Sequence, residues 1–189
     1  RTIPARDATE EELRLVHTAG HLERVHSWAA QAPVWIDADT YMNEHSHAAA
    51  LRSAGGVLAA CEAILAGEDR SAFCLVRPPG HHATPDRAMG FCIYNNVAIA
   101  ARWLDRKVLI VDWDVHHGNG TQDALAGDPK VVYLSTHRWP FYPGTGAVEE
   151  DGGGNLLNVP LAGGTTSEEF LSCFESALDE AVTKLRPEF

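Results

Sequence analysis

One stretch, Lys107–Gln122 (KVLIVDWDVHHGNGTQ), constrains the fold of this chain more than any other. Val108 to Val111 is an unbroken aliphatic run, the composition of a parallel strand buried on both faces. It leads directly into Asp112-Trp113-Asp114-Val115-His116-His117 and then Gly118-Asn119-Gly120. While the backbone stays extended, side chains two apart share a side, so Asp112, Asp114 and His116 project together. Two carboxylates and an imidazole at a strand's carboxyl end are a donor set for Zn²⁺ or a similar divalent metal. The plainer alternative is a polar turn whose carboxylates cap the following helix. The added imidazoles and the apolar strand behind them favour the metal.

A second polar cluster precedes it: Arg77-Pro78-Pro79-Gly80-His81-His82, then Gly90-Phe91-Cys92-Ile93-Tyr94-Asn95-Asn96. It follows another apolar run, Ala72–Val76, which reads as a strand. Neighbouring strands of an open α/β sheet carry their carboxyl-end loops side by side, where such sheets bind ligands. His81 and His82 would then face Asp114 and His116. A pair of surface histidines is the bland reading of the same residues.

Elsewhere the chain alternates. Thr9-Glu10-Glu11-Glu12 is a capping box ahead of a short helix, and Leu22, Val25 and Ala29 mark a second helix. His17, His21 and His26 have no carboxylate at ligand spacing and are expected at the surface or half-buried. Val34–Ile36 reads as a short strand, followed by the polar loop Asp37–Ser46. Ala48–Leu65 is a long helix whose Gly55-Gly56 is expected to pack closely against a sheet. Asn95 or Asn96 caps a helix to Leu104. A short helix is expected near Thr121–Ala126, a strand at Val131–Ser135 and a glycine-rich loop from about His137 to Asn155, ordered around Phe141–Gly146 on the plainest reading and flexible at Gly152-Gly153-Gly154. An extended Leu156–Val159 follows, and Thr166-Ser167-Glu168-Glu169 caps a last helix. Strands alternating with helices predict an α/β fold, a parallel sheet with helices on both faces, within a single partial domain spanning 1–189.

The 189 residues are 45% hydrophobic and 22% charged with a net charge of −11. That balance argues against general binding of nucleic acid or an anionic membrane and suits cationic partners. Cys61, Cys74, Cys92 and Cys173 form no CxxC pair and read as reduced core residues. A catalytic thiol is the competing reading of Cys92. No apolar run reaches the ~18 residues of a membrane span and no signal peptide opens the chain, so the cytoplasm is the expected compartment.

The motifs RPPGHHATPDRAMGFCIYNN and VLIVDWDVHHGNGTQ resemble the histone deacetylase family, nearer its class II and bacterial amidohydrolase branches. Asp37-Ala38-Asp39-Thr40, Asn43-Glu44-His45-Ser46, Ser135-Thr136-His137, Phe141-Tyr142-Pro143-Gly144-Thr145-Gly146 and Asn158-Val159-Pro160 extend the resemblance in the family's order. It implies an arginase/deacetylase-like sheet and a Zn²⁺-dependent deacetylase, with Fe²⁺ fitting the same donors. The implied substrate is an acetylated lysine peptide or an acetylated small amine such as acetylpolyamine. By motif position, His82 is the acid–base residue and His81 the second imidazole, tuned by Asp112. Asn119 stands where some relatives have Asp. Asp114 and His116 are metal ligands, and His117 matches no ligand position. Asp112, Asp114, His116, Ser135 and Thr136 would hold a structural K⁺ or Na⁺, partly through backbone carbonyls. Gly90, Phe91 and Tyr142 would line a tunnel for the lysine stem, Tyr142 standing where the family more often has Phe.

The resemblance also predicts what these residues lack. The family's third metal ligand is an Asp on a later strand, and a tyrosine beyond it steadies the oxyanion; neither matches a residue here. The sequence thus predicts an incomplete catalytic unit with weak metal affinity, negligible activity by itself and self-association into a homo-oligomer. A non-catalytic acetyl-ligand binder or assembly module of the same fold is the alternative function.

Overall fold

The computed structural model describes residues 1–189. They divide into two compact units, Arg1–Leu104 and Asp105–Phe189.

The first unit is helical. Helix α1 (Glu10–Leu13) opens with the expected capping box: Thr9 Oγ1 accepts from the Glu12 amide while the Glu12 carboxylate accepts from Thr9 N. Helix α2 (Ala19–Ala30) buries His21, Leu22 and Val25. A two-stranded antiparallel ribbon follows, β1 (Val34–Trp35) with β2 (Tyr41–Met42). Helix α3 (Ser46–Leu65) packs against α2 and against α4 (Asn96–Leu104). Asn95 Oδ1 accepts from the Ala98 amide and so caps α4. By length and hydropathy α3 could cross a membrane, yet half of that window is buried within the protein, the habit of a core helix.

Gly55 of α3 is required for a reason other than the one expected. A methyl group there would meet the backbone of the N-terminal segment, 2.6 Å from Ala8 N, and Ala8 N donates to Leu51 O at 2.9 Å. The glycine admits the extended N-terminal chain at Arg6–Ala8. Ala72–Val76 is corrected too: no strand pairs with it, and Phe73 and Leu75 stand 87% and 88% exposed. Its apolar, β-branched content suits a strand, but a strand is defined by its partners.

The second unit is built on a parallel sheet, β3 (Val108–Asp112), β4 (Val131–Arg138) and β5 (Leu156–Leu161), in that spatial order. Register sets Leu109 beside Val132 and Asp112 beside Ser135, with Ser135 beside Asn158. Period-two alternation sorts the faces. Leu109, Val132 and Leu157 pack under Ala181 and Leu185 of α6 (Ser167–Leu185), which begins with the expected capping box at Thr166. The opposite face carries Tyr133, Ser135 and Asn158, and Asn158 Nδ2 donates to Gln122 of α5 (Asn119–Leu125) at 2.7 Å. Helices therefore cover both faces, and the α/β fold is as expected. Strand β4 runs three residues further than its apolar run suggested, so His137 is a buried strand residue rather than the start of a loop. All four cysteines are free; Cys61 and Cys92 are buried, while Cys173 is exposed on α6 instead of in a core.

Candidate active site

In the first unit the histidine pair sits on a turn held from several sides. Gly80 passes so close to α4 that a Cβ would lie 2.6 Å from Asn96 N. Asn96 Nδ2 donates to Ser53 Oγ at 2.8 Å, and Ser53 Oγ donates to Pro78 O at 2.8 Å. Beyond this anchor the His81 and His82 rings lie 4.1 Å apart, with His82 only 5% exposed. Gly90 covers His82: a Cβ would fall 2.8 Å from the ring's Cγ, and Gly90 holds φ +55°. A side chain there would displace the imidazole.

The next residue is displayed. Met89 and Cys92 exchange backbone hydrogen bonds of 3.1 and 2.9 Å, closing a tight turn over Gly90 and Phe91. Phe91 takes φ +68°, which few side-chain-bearing residues adopt, and its ring is 53% exposed. Cys92 is 0% exposed with its thiol toward Gly90 O, a packing role rather than a nucleophile's.

Sequence reasoning missed what supports this turn from beneath. His17 and His21, expected near the surface, are 3% and 0% exposed. Their rings lie 4.7 Å apart, tilted by 30°, and His17 lies 5.4 Å from the Tyr94 ring. His17 Nε2 accepts from the Asn95 amide at 2.9 Å, and His21 Nε2–H donates to Ile93 O at 2.9 Å. Asn95 Nδ2 in turn donates to Ala83 O, the residue after His82, at 3.1 Å. Burial, helped by the neighbouring His21, pushes the His17 imidazole down to about 3, and burial also lowers His21. Both are neutral props at ordinary pH. Only His26 is exposed, as expected.

In the second unit the donors stand at the carboxyl end of β3 in a ladder of local bonds. Asp112 Oδ1 accepts from Asp114 N at 3.1 Å; Asp114 Oδ1 accepts from His116 N at 2.8 Å and lies 3.1 Å from His116 Nδ1. Asp112 Oδ2 accepts the Tyr133 hydroxyl at 2.9 Å. Between them Trp113 and Val115 are 71% and 53% exposed, and the chain has left the strand at Asp112 and bends at Val115 and His116. The His116 ring is stacked on Phe141 at 5.2 Å and edge-on to Tyr142 at 5.8 Å, with the Arg138 guanidinium over the far ring, 4.5 Å from the Phe141 centroid. Phe141 had no assigned role in the sequence; an aromatic beside a motif tyrosine was the available signal.

The loop carrying Phe141 and Tyr142 is pinned at its far end. Glu150 accepts from Gly146 N at 3.0 Å, Ala147 N at 3.1 Å and Gln122 Nε2 at 2.5 Å. Burial alone would raise the Glu150 carboxyl; those donors outweigh it and hold it low. His117, 1% exposed, donates from Nε2 to Gln122 Oε1 at 3.1 Å and accepts from Thr145 Oγ1 at 2.8 Å. It packs and hydrogen-bonds, as its mismatch to a ligand position implied, and burial beside His137 lowers it to about 4. Ser135 Oγ bonds His137 Nδ1 at 2.9 Å, and Thr136 Oγ1 is buried with no hydrogen-bond partner. Asn119 is buried at the start of α5.

Asp114 and His116 offer one carboxylate oxygen and one imidazole nitrogen, chemistry that suits two corners of a zinc or iron site. No group of three His, Cys, Asp or Glu gathers to complete one. The hydroxyl, carboxylate and carbonyl oxygens at Asp112, Ser135 and Thr136 suit a hard monovalent cation, and the orphaned Thr136 hydroxyl is an oxygen left without a protein partner.

The whole chain, residues 1–189, matches the histone deacetylase domain family. It is 41% identical to Histone deacetylase 15 of Arabidopsis thaliana, covering 99% of this chain and 36% of that protein. A probable deacetylase of Archaeoglobus fulgidus is 37% identical over 96% of this chain and 53% of its own length. Histone deacetylase HDA1 of Saccharomyces cerevisiae is 36% identical over 98% of this chain and 30% of its own. The crystal structure of the HDA15 HD domain superposes with a TM-score of 0.92 at 42% identity, over 99% of this chain and 58% of that one. The chain thus spans about half or less of these relatives' full lengths.

Proposed function

Because this chain belongs to the histone deacetylase family, we propose that it forms part of a zinc-dependent deacetylase acting on acetyl-lysine or on an acetylated amine such as acetylpolyamine. The reaction adds water across the acetamide C–N bond, releasing acetate and the free amine. The observation that carries this reading is the His81–His82 pair, its second ring buried beneath Gly90 and beside the displayed Phe91.

Asp114 and His116 would hold the metal, Zn²⁺ or Fe²⁺. Bound there, it supplies carbonyl polarisation and lowers the pKa of the attacking water towards about 7. His82 takes the water's proton and returns it to the amine nitrogen as the C–N bond breaks. His81 is the second imidazole, tuned by Asp112. Asn119, a neutral partner for His82, would stabilise imidazolium less than the Asp of some relatives. Phe91 and Tyr142 flank the alkyl stem with Gly90 at the wall. Asp112, Asp114, His116, Ser135 and Thr136 would bind K⁺ or Na⁺.

Two protein donors are one fewer than a catalytic zinc site ordinarily has. These 189 residues by themselves should therefore bind zinc weakly and turn over little, so the assay belongs on the full gene product. With a fluorogenic acetyl-lysine substrate, His82→Ala should cut turnover by roughly 10²–10⁴-fold while zinc stays bound. An equal loss from His117→Ala with none from His82→Ala would overturn the assignment. The same donor count favours one other reading, a module that binds acetylated ligands without hydrolysing them. Saturable binding of an acetyl-lysine peptide with no acetate release would select it.

A further inference from the structure

Thr40 lies in the Asp37-Ala38-Asp39-Thr40 stretch but has no assigned role, yet it is 2% exposed and its hydroxyl is used twice. Thr40 Oγ1 accepts from the Phe91 amide at 3.1 Å and donates to Asp39 Oδ1 at 3.1 Å. The bond to Phe91 joins residues 51 apart in sequence. It falls on the amide of a phenylalanine held at φ +68°, a conformation that persists only where the surroundings impose it. Thr40 is itself fixed: Thr40 N and Asp39 N donate to Asp37 Oδ1 at 2.8 and 3.2 Å, and Ile36 N donates to Thr40 O at 2.8 Å. Asp37 therefore anchors the loop between β1 and β2, and Thr40 passes that anchorage on to Phe91.

Both residues that Thr40 holds line one groove. A cavity of about 540 Å³ in the first unit is bounded by Asp39, Tyr41, His45, Arg77, Phe91 and Ile93. The Phe91 ring supplies an apolar wall and the Asp39 carboxylate an anionic one. We infer that Thr40 is a positioning residue that fixes the Phe91 ring and the Asp39 carboxylate together at the mouth of this groove, and so sets affinity for the chain of the acetylated amine. The inference rests on the deacetylase reading. An aromatic face and a carboxylate suit a substrate with an alkyl stem and a nearby N–H or cationic group.

Thr40→Val keeps the shape and removes both bonds; Thr40→Ser keeps the hydroxyl. In the zinc-loaded full gene product, Thr40→Val should raise KM for an acetyl-lysine peptide about 5–10-fold with kcat within about twofold, the pattern of lost uniform binding. Thr40→Ser should restore the wild-type KM. Hydrogen exchange at the Phe91 amide should be at least about tenfold faster in Thr40→Val than in Thr40→Ser. An unchanged KM in Thr40→Val, or an equal fall in kcat in both variants, overturns the positioning role. Should Thr40→Val not fold, Thr40→Ala carries the same expectations. If the wild-type protein hydrolyses no acetylated amine, the functional reading fails. The Phe91 exchange rates then still decide whether Thr40 holds the turn, equal rates in valine and serine variants refuting it.

Discussion

The two candidate regions, one in each unit, are held in opposite ways. The His81–His82 turn is buried and braced from afar: His17, His21, Ser53 and Asn96 reach it or its flanks across long stretches of chain. The Asp112–His116 ladder is more exposed and braced largely by local bonds, each carboxylate accepting the amide two residues on, with the Tyr133 hydroxyl added on Asp112. A proton-transfer group gains from a fixed, dry setting, because small misplacements cost rate steeply. Metal donors instead need open lone pairs, and a short polar ladder presents them while staying accessible. Damage to the first region should therefore come chiefly from residues far away in sequence, and damage to the second from its immediate neighbours and from Tyr133 and Phe141.

The largest effect expected from a substitution outside the reacting groups is at Gly90. In Gly90→Ala the added carbon collides with the His82 ring at a backbone angle strained for alanine. Turnover should fall by roughly 10²-fold, the scale of an ångström's misplacement, with zinc affinity unchanged. A variant with wild-type kcat would show that the turn yields and that the bracing matters less than argued.

Next comes the pinned loop beside the ladder. Gln122→Ala strips partners from His117, Asn158 and Glu150 at once. Each buried polar group left unpaired costs about 1–3 kcal/mol, so a loss of that order in urea denaturation is expected, with zinc affinity shifted little. A stability equal to wild type would show water replacing the network.

The distant bracing also sets a pH window. His17 is lowered to about 3 in the folded protein, chiefly by burial, against about 6.5 unfolded. The unfolded chain therefore binds the proton more readily, and stability present above pH 6.5 is lost as pH falls towards 3. The slope from His17 alone is up to about 1.4 kcal/mol per pH unit. Around it lie His21, lowered in the same direction, and Tyr94; near His21 are Arg24 and Asp86. His17→Gln should flatten the slope between pH 6 and 4 in thermal melts, and an unchanged slope would place the acid sensitivity elsewhere.

The same contrast explains what the sequence could and could not reveal. The ladder was legible because its cause is local: Asp112, Asp114 and His116 fall two apart, and each carboxylate accepts the amide two residues on. Strand β3 and both capping boxes were equally local, and fell where the residues placed them. His17 and His21 were misjudged because their partners lie 78 and 72 residues away. Gly55 was given the wrong neighbour for the same reason, and Ala72–Val76 was read as a strand on composition without any knowledge of its partners. The glycines of the loop after β4 are visible in sequence, whereas the carboxylate of Glu150 gathering the amides of Gly146 and Ala147 is not.

The central claim is that the exposed ladder, and not the buried His117 beside it, holds the metal. Competition with a chromophoric chelator measures zinc affinity in the wild-type protein and in Asp114→Asn, His116→Ala and His117→Ala. Either of the first two should weaken zinc at least about tenfold, since each removes a direct donor, while His117→Ala should leave it within about threefold. Unchanged affinity in both Asp114→Asn and His116→Ala, or a loss confined to His117→Ala, would contradict the account.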